Sequence, residues 1–467
     1  VSSVIVLLFF AYGRVFEVTQ HIRLRFFPFD KHPGLLALWG ILAAAGIAFA
    51  VRFPRRLPGI NWVVGLFASL LLIVSFAEIG VKAATNSAPP LPVYEAALDV
   101  SAPDVLPDIY FIVLDEYAGN RALLDYLGYD NSEFTDSLRD RGFYVADAHA
   151  NYYATRFSLA SILNMHYLDS LYGHRGEDPE PVIAQVRDNV TIQTLKRLGY
   201  TYVHFNSGSR VTRDNPFVDI LYDGYDEQRI RLGDLLEIDP KQFHITDFHI
   251  TLGQTTLLRP LMEMEQLRDS RSRVLFSLEK LTELPRMPEP TFAFAHLVLP
   301  HPPYVFGRDE GPVNPDRPVD GQIVDEALYQ AHAGYIDQVI YTNRAISQLV
   351  DTILEQSATE PIILIQADHG FRWLCSDCLS ESKAWDDAYY SDVVLPILSA
   401  YYLPDGGDSQ LYPTMSPVNT FRVIFDHYFG ADLVLLEDRY FRPEDYFTRP
   451  YFFIDITHRV VASRNLN

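Results

Sequence analysis

Apolar and polar positions divide this chain into two unlike parts. Near the N-terminus, Gly34 to Val51 and Ile60 to Ala77 are uncharged apolar runs of 18 residues each. A helix needs about 20 such residues to cross a bilayer core, so both read as transmembrane helices. The loop between them holds Arg52, Arg55 and Arg56, and the positive-inside rule puts a compact basic loop in the cytoplasm. The chain then emerges outside after the second span. A third run, Val4 to Tyr12, is too short to span alone and reads as a partial span within residues 1–12, the start of a fragment of a longer multi-pass protein. A cleaved signal peptide is the competing reading, disfavoured because no small-residue cleavage site follows. Residues 1–83 are thus the transmembrane region. Residues 84–106, rich in Ala, Pro and Ser and lacking any period, read as a linker. Residues 107–467 form an extracytoplasmic domain.

Within that domain the pattern changes. Three short runs are continuously apolar rather than alternating, as in strands of a parallel sheet covered on both faces. Ile109 to Leu114 is followed by Asp115 and Glu116; Phe292 to Leu299 by Pro300-His301-Pro302-Pro303-Tyr304; Ile362 to Ile365 by Gln366-Ala367-Asp368-His369-Gly370. Between them lie helical patterns, such as Asp337 to Leu354, where Val339, Ile340, Ile346, Leu349 and Val350 recur at helix spacing. Ser416 to Gly430 opens with a Ser-Pro signal and stops at Gly, the signature of a capped amphipathic helix. Alternating strands and helices predict an α/β fold, a mostly parallel sheet sandwiched by helices.

Charge and cysteine content narrow the function. The net charge is −22, from 38 Lys and Arg against 60 Asp and Glu, which argues against nucleic-acid binding. The excess lies beyond Lys82: up to that residue 8 basic residues face 3 acidic ones. The two cysteines, Cys375 and Cys378, are too few for a disulfide scaffold. They read as a local bridge or free thiols, with a redox or half-zinc site as the alternative.

In open parallel sheets ligands gather outside the carboxyl ends of the strands. Asp115, Glu116, His301, Asp368 and His369 all follow strand ends. Singly, each has an ordinary explanation as a turn, a helix cap or a hydrogen-bonded histidine. Together, carboxylates and an imidazole make a good donor set for Zn²⁺ or Mn²⁺. Between the first two strands, Thr155 in Ala154-Thr-Arg-Phe-Ser158 opens what reads as a helix. Its ordinary role there, like that of Ser158, is capping. It is also a candidate nucleophile: a threonine hydroxyl is weak unless a base or metal lowers its pKa, and a helix N-terminus beside a dication would supply the positive potential, a seat for an attacked phosphorus or sulfur centre. His244 and His249 flank Asp247 and read as a surface loop rather than a second metal site.

The order of these stations, an acid-ended strand, T-x-x-S opening a helix, H-P-P-Y and then D-H-G, resembles the alkaline phosphatase/sulfatase superfamily over about residues 107 to 404. More narrowly it resembles the membrane-anchored branch that includes lipoteichoic acid synthases and lipid A phosphoethanolamine transferases. The resemblance implies an alkaline phosphatase-like domain with Asp115 as a metal ligand, or Glu116 if the register is off by one. It implies Thr155 as nucleophile and metal ligand, Asp368 and His369 completing the metal shell, and His301 holding the transferred group or protonating the leaving oxygen. Two departures bear on substrate. Formylglycine sulfatases carry C/S-x-P/A-x-R, whereas Thr155 lacks both that nucleophile and the arginine four residues on, where Leu159 stands. Phosphoethanolamine transferases carry a further histidine about twelve residues after the D-H-G histidine, and Glu381 occupies about that place here. Arg372 and Lys383, in the same altered stretch Phe371 to Trp385, are available as anion ligands or as surface cations.

The implied function is a membrane-anchored, metal-dependent transferase of the cell envelope. It would move a phospho head group, phosphoglycerol or phosphoethanolamine in type, from a membrane phospholipid through Thr155 to an extracytoplasmic glycan or lipid. With water as acceptor the same site is a phosphatase, phosphodiesterase or sulfuric ester hydrolase. A non-catalytic binding or sensing membrane protein is the alternative from another class, and metal content discriminates it.

Overall fold

The computed structural model describes residues 2–19, 32–54, 59, 62, 97–103, 105–171, 179–224, 255–309, 311, 326–372, 386–445 and 449–465. They fall into two units, Val1–Ser87 with Glu227–Asp269, and Ala88–Asp226 with Ser270–Asn467.

In the first unit the expected span from Gly34 forms the helix His32–Arg52, which among the described residues is the one helix long and apolar enough to cross a membrane. The apolar run Val4 to Tyr12 lies inside a longer helix, Ser2–Thr19. These two helices pack through Tyr12, Phe16, Leu35 and Trp39, and the Trp39 indole donates to the Leu8 carbonyl at 2.8 Å. In the same unit His32 Nε2 lies 2.7 Å from Glu263 Oε2. The second expected span, residues 60–77, lies outside the described residues except for Trp62, as do Cys375, Cys378, Glu381, Lys383, His244 and His249.

The second unit is built on a seven-stranded sheet in the order β2-β7-β6-β1-β5-β3-β4. The strands are β1 (Ile109–Leu114), β2 (Tyr144–His149), β3 (Thr201–Phe205), β4 (Ile220–Tyr222), β5 (Thr291–Leu297), β6 (Ile362–Ala367) and β7 (Pro396–Tyr402). β1 runs parallel to both β5 and β6, and β3 parallel to β5 and β4. β7 is antiparallel to β6 and to β2, so β2 points the same way as β1. A separate hairpin pairs β8 (Phe441–Asp445) with β9 (Arg449–Asp455). The fold is therefore mixed α/β with a mostly parallel sheet, as the strand patterns predict.

The continuous apolar runs are explained by position. β1, β5 and β6 are neighbours at the centre, and every residue of each is buried. Phe111 of β1 stacks on Phe294 of β5 with ring centroids 5.5 Å apart. It meets Phe421 edge-on at 5.2 Å, which seats the helix Thr420–Phe429 on the sheet. That helix ends at Gly430 in the left-handed conformation, φ 63°, where a glycine is the least strained residue. The expected helix from Asp337 to Leu354 lies within the longer helix Glu326–Gln356. The end of the expected linker is anchored: Leu98 N–H donates to Thr194 Oγ1 at 2.9 Å, and Leu98, Val100 and Leu106 pack against the core.

Candidate metal centre and active site

β1, β5 and β6 end in register, with Leu114 beside both Leu297 and Ala367. The residues after those strands therefore meet at one edge. Asp115 N–H bonds back to Leu297 O at 3.0 Å, and His301 N–H to Asp115 O at 3.1 Å, which closes the turn after β5 over the end of β1. Glu116 takes a left-handed backbone conformation, φ 63°, uncommon for a non-glycine residue and costing about 1 kcal/mol or more. Surrounding bonds hold it there. Its N–H donates to Asp368 Oδ1 at 3.0 Å, its carbonyl accepts from Tyr335 Oη at 2.8 Å, and its Oε1 accepts from Arg372 N–H at 2.9 Å.

Asp368 Oδ1 also accepts from His369 N–H at 2.8 Å. Two donors thus occupy one carboxylate oxygen and leave Oδ2 to face the site. His369 is fixed by the same logic. Its Nδ1 lies 2.9 Å from the Gly370 carbonyl, which can only accept, so Nδ1 carries the proton and Nε2 presents its lone pair. That Nε2 is 3.6 Å from Asp368 Oδ2 and 3.8 Å from Asp115 Oδ1.

Asp115, Asp368 and His369 bring donor atoms within 4.8 Å of one another, all buried. Asp115 Oδ1, Glu116 Oε2, Asp368 Oδ2 and His369 Nε2 are buried without a hydrogen-bond partner. Unpartnered buried carboxylate oxygens are costly, several kcal/mol each when charged, and a divalent cation is a group that would satisfy them together. The two carboxylates and one imidazole of the cluster, with the Glu116 carboxylate adjoining, form an appropriate set for Zn²⁺ or Mn²⁺. Burial favours the neutral form of His369, and nearby Arg372 adds to it, so its pKa is lowered; the neutral ring is the ligating form. Burial would raise the Asp115 pKa, but the positive potential of His301, with His296 beside the carboxylate, outweighs it and the carboxyl is held below its usual range. For His301 burial acts downward, yet Asp115 and Glu116 overcome it and its pKa is raised.

His301 Nε2 lies 3.6 Å from Glu116 Oε2, and its Nδ1 hydrogen-bonds the Pro302 carbonyl. Of the five strand-end residues singled out in the sequence, three, Asp115, Asp368 and His369, bring their donor atoms into one buried cluster; Glu116 adjoins it through its N–H to Asp368 Oδ1, and His301 faces Glu116. Thr155 reaches the same edge by a different route. It opens the helix Thr155–Asn164 six residues after β2 and provides no side-chain cap. Ser158 is not a cap either: its hydroxyl donates to Tyr152 O at 2.9 Å. Ala150 N–H and Gly370 N–H bond to the consecutive carbonyls of Leu395 and Val394. One segment thereby holds both the loop that leads to Thr155 and the D-H-G loop. Among the described residues no hydrogen bond joins Thr155 to the acidic cluster. Gly370 is required by contact: a Cβ there would lie 2.4 Å from Pro396 O and 2.7 Å from Val393 O.

Sequence reading passed over His296. It is buried in β5 with Nε2 3.4 Å from Asp115 Oδ2. The signal was present, since His296 is the single ionisable residue of the apolar run Phe292 to Leu299. An ionisable side chain is seldom placed in a doubly covered strand without a partner.

The family model described as Sulfatase matches residues 107–400. Among solved structures, the chain is similar to the zinc complex of the C-terminal periplasmic domain of EcEptC from Escherichia coli, at 11% identity over 78% of this chain and 97% of that one, TM-score 0.49. It is similar to the integral membrane lipooligosaccharide phosphoethanolamine transferase A of Neisseria meningitidis, at 11% identity over 87% and 70%, TM-score 0.41. It is also similar to the C-terminal periplasmic domain of phosphoethanolamine transferase EptC from Campylobacter jejuni, at 14% identity over 71% and 91%, TM-score 0.40. No curated protein matches. The matched family region runs from just before β1 into β7 and takes in more than half of the sequence, and the chain belongs to the sulfatase family, within the alkaline phosphatase/sulfatase superfamily.

Proposed function

We propose that this protein is a membrane-anchored phospho-group transferase that uses Thr155 as its nucleophile and holds a divalent cation, Zn²⁺ or Mn²⁺, through Asp115, Glu116, Asp368, His369 and Thr155. The observation that carries the proposal is the convergence of donor atoms of Asp115, Asp368 and His369 within 4.8 Å at the carboxyl edge of the sheet, with Asp115 Oδ1, Asp368 Oδ2, His369 Nε2 and the adjoining Glu116 Oε2 buried and without hydrogen-bond partners. When bound, the cation supplies positive charge that favours the Thr155 alkoxide and the charge developing on the transferred group.

The chain's own residues account for the remaining steps. Thr155 Oγ1 attacks phosphorus at the positive end of its helix, forming a Thr–O–P bond as the bond from phosphorus to the lipid oxygen breaks. His301, its ring anchored through Nδ1 to the Pro302 carbonyl, gives a proton from Nε2 to that leaving oxygen. In the second half the acceptor hydroxyl loses its proton to His301 Nε2 and attacks phosphorus, and Thr155 is released. Arg372, beside Glu116, is the cation available to the anionic oxygens of the transferred group.

Phosphorus is favoured over sulfur because Thr155 replaces the Cys or Ser of formylglycine sulfatases and Leu159 stands where their arginine would be. A lipid donor is favoured by the apolar helix His32–Arg52, and the donor head group is of the phosphoglycerol or phosphoethanolamine type. The acceptor is an extracytoplasmic glycan or lipid, and water in its place gives the hydrolase. The test is mass analysis of the full-length protein in detergent after incubation with phosphatidylglycerol or phosphatidylethanolamine. The expected result is a phospho head-group adduct on Thr155, absent from Thr155→Ala. Thr155 unmodified throughout turnover, or full activity in Thr155→Ala, overturns the covalent route. Purified protein without stoichiometric metal, unaffected by Thr155→Ala and Asp368→Ala, identifies a binding or sensing module instead.

A further inference from the structure

His296 has no part in the steps above, yet it contacts the acid that ends β1. In the parallel pairing of β1 with β5 it stands opposite Val113, one strand away from Asp115. Its Nε2 lies 3.4 Å from Asp115 Oδ2, and its Nδ1 lies 2.7 Å from Thr212 Oγ1. Thr212 is buried too, and its hydroxyl is 2.8 Å from Ser207 Oγ. The Thr212 carbonyl is held in turn by His204, whose Nε2 lies 2.9 Å away, and His204 Nδ1 lies 2.7 Å from Tyr202 Oη. Ser207 Oγ accepts from Ser209 N–H at 3.0 Å. A line of polar side chains thus runs from the β3 side of the sheet, through an otherwise apolar interior, and stops at one oxygen of Asp115.

Each link has a determinable direction. A carbonyl only accepts, so His204 Nε2 carries a proton, its Nδ1 is bare and Tyr202 donates to it. Asp115 Oδ2 is the acceptor facing His296 Nε2, at 3.4 Å, and that nitrogen has no formed hydrogen bond; a carboxylate only accepts, so a proton on Nε2 would face Asp115. The neutral ring then has a bare Nδ1, which the Thr212 hydroxyl fills, while Ser207 donates to Thr212. The hydroxyl and ring protons along the line can thus share one direction, whose last step toward Asp115 Oδ2 is a 3.4 Å approach and not a formed hydrogen bond. The other oxygen, Oδ1, is buried without a hydrogen-bond partner and lies 3.8 Å from His369 Nε2.

We propose that His296 is a positioning residue for the metal centre: it directs its Nε2–H at Asp115 Oδ2, so that Asp115 offers Oδ1 to the cation, and Thr212 fixes the ring that does so. The inference rests on Asp115 being a metal ligand. Ligands are commonly oriented by such outer partners, whose removal costs about 10- to 100-fold in metal affinity. A histidine kept only to fill the core would not need its second nitrogen specified by a buried threonine that is itself hydrogen-bonded on both its hydroxyl and its carbonyl.

The experiment is a chelator-competition titration of Zn²⁺ into metal-stripped full-length protein in detergent, comparing wild type with His296→Ala, His296→Gln and Thr212→Val. Thermal unfolding of each metal-free form provides a second readout. The expected result is stoichiometric Zn²⁺ binding by wild type, a Kd about 10- to 100-fold weaker in His296→Ala, and recovery of most of that loss in His296→Gln, whose side-chain amide can still donate to Asp115. Thr212→Val is expected to weaken Zn²⁺ binding while leaving the ring in place. Wild-type affinity in His296→Ala and Thr212→Val, with stoichiometric binding by wild type, overturns the positioning role and leaves the metal site standing. Equal weakening in His296→Ala and His296→Gln, matched by equal losses of metal-free stability, also overturns it, because packing and not the donated hydrogen bond would then explain the loss. Absence of Zn²⁺ binding by wild type overturns the metal-centre reading itself and the inference with it.

Discussion

Replacing Asp368 by Asn is expected to stabilise the metal-free protein while abolishing its response to metal. Donor atoms of Asp115, Asp368 and His369 lie within 4.8 Å of one another in a fully buried setting. Two unit negative charges at that separation repel by about 3 kcal/mol at an effective dielectric constant of about 20. The substitution removes that repulsion without changing shape. The amide oxygen of the new side chain would keep the bonds from Glu116 N–H and His369 N–H now made by Asp368 Oδ1. Its amide nitrogen would stand where the unpartnered Oδ2 stands, 3.6 Å from His369 Nε2. Metal-free Asp368→Asn should therefore exceed metal-free wild type in stability by about 3 kcal/mol. Excess Zn²⁺ at about 100 times Kd should stabilise wild type by about 2.7 kcal/mol and leave the variant nearly unmoved. Calorimetric or circular-dichroism melting of both forms, with chelator and with Zn²⁺, checks both parts. A metal-free variant less stable than wild type, or an equal Zn²⁺ response in the two, would refute an acidic cluster assembled for a cation.

Three further outcomes follow from contacts around the site. Gly370→Ala must force a Cβ against the backbone carbonyls of Pro396, Val393 and Val394, at 2.4, 2.7 and 3.0 Å. None of these is a flexible side-chain end, so a loss of about 3 kcal/mol is expected in denaturant melts, together with weakened metal binding. Tyr335→Phe removes a hydroxyl that donates to Glu116 O at 2.8 Å and accepts from Ala118 N–H at 3.0 Å. Both backbone groups are left unpaired, a loss of about 2 kcal/mol or more, measurable by the same melts. Burial lowers the His204 pKa from 6.5 to about 4, so above pH 6.5 neither state is protonated there and stability is undiminished. As pH falls below 6.5 the unfolded imidazole gains a proton that the folded one refuses, and stability declines until about pH 4. The wild-type decline between pH 7 and pH 5 should exceed that of His204→Gln by about 2 kcal/mol, and equal declines would contradict the assignment.

The three middle strands β1, β5 and β6 were legible because burial on both faces makes their runs continuously apolar, whereas the interior strands β3 and β7, interrupted by His204 and Ser399, were not. β1 and β6 match their apolar runs at the N-terminal end, and β5 stops at Leu297, two residues before its run does, where Leu299 N–H turns back to Leu297 O at 2.7 Å. Edge strands β2 and β4 were not legible. β2, Tyr-Val-Ala-Asp-Ala-His, is only partly covered, and β4 has three residues, so neither carries a long apolar run. The acidic half of the site was legible because D-E and D-H-G follow runs that could only be central strands. The β2 connection that brings Thr155 to the same edge depends on β7 reversing direction between β6 and β2, a topological fact with no local signature. His296 was hidden for the opposite reason. Its chemistry lies in the middle of a strand, and its partners Thr212 and Asp115 are 84 and 181 residues away in sequence.

These features also explain why the strain at Glu116 persists. A glutamate with φ 63° gains nothing locally from that conformation, and an extended residue there would continue β1 past its neighbours. The turn instead aims the Glu116 N–H at Asp368 and the Glu116 carboxylate at Arg372 N–H and His301, so the backbone of one acid orients the side chain of another. Four acidic and imidazole groups are thereby fixed by bonds that use only their outward atoms: Asp368 Oδ1, Glu116 Oε1, His369 Nδ1 and the main chain. The inward atoms are left over as a set. A fold that had merely buried acids would be expected to partner them at random. The consistent division into partnered outer atoms and unpartnered inner atoms is what a preformed cation site requires.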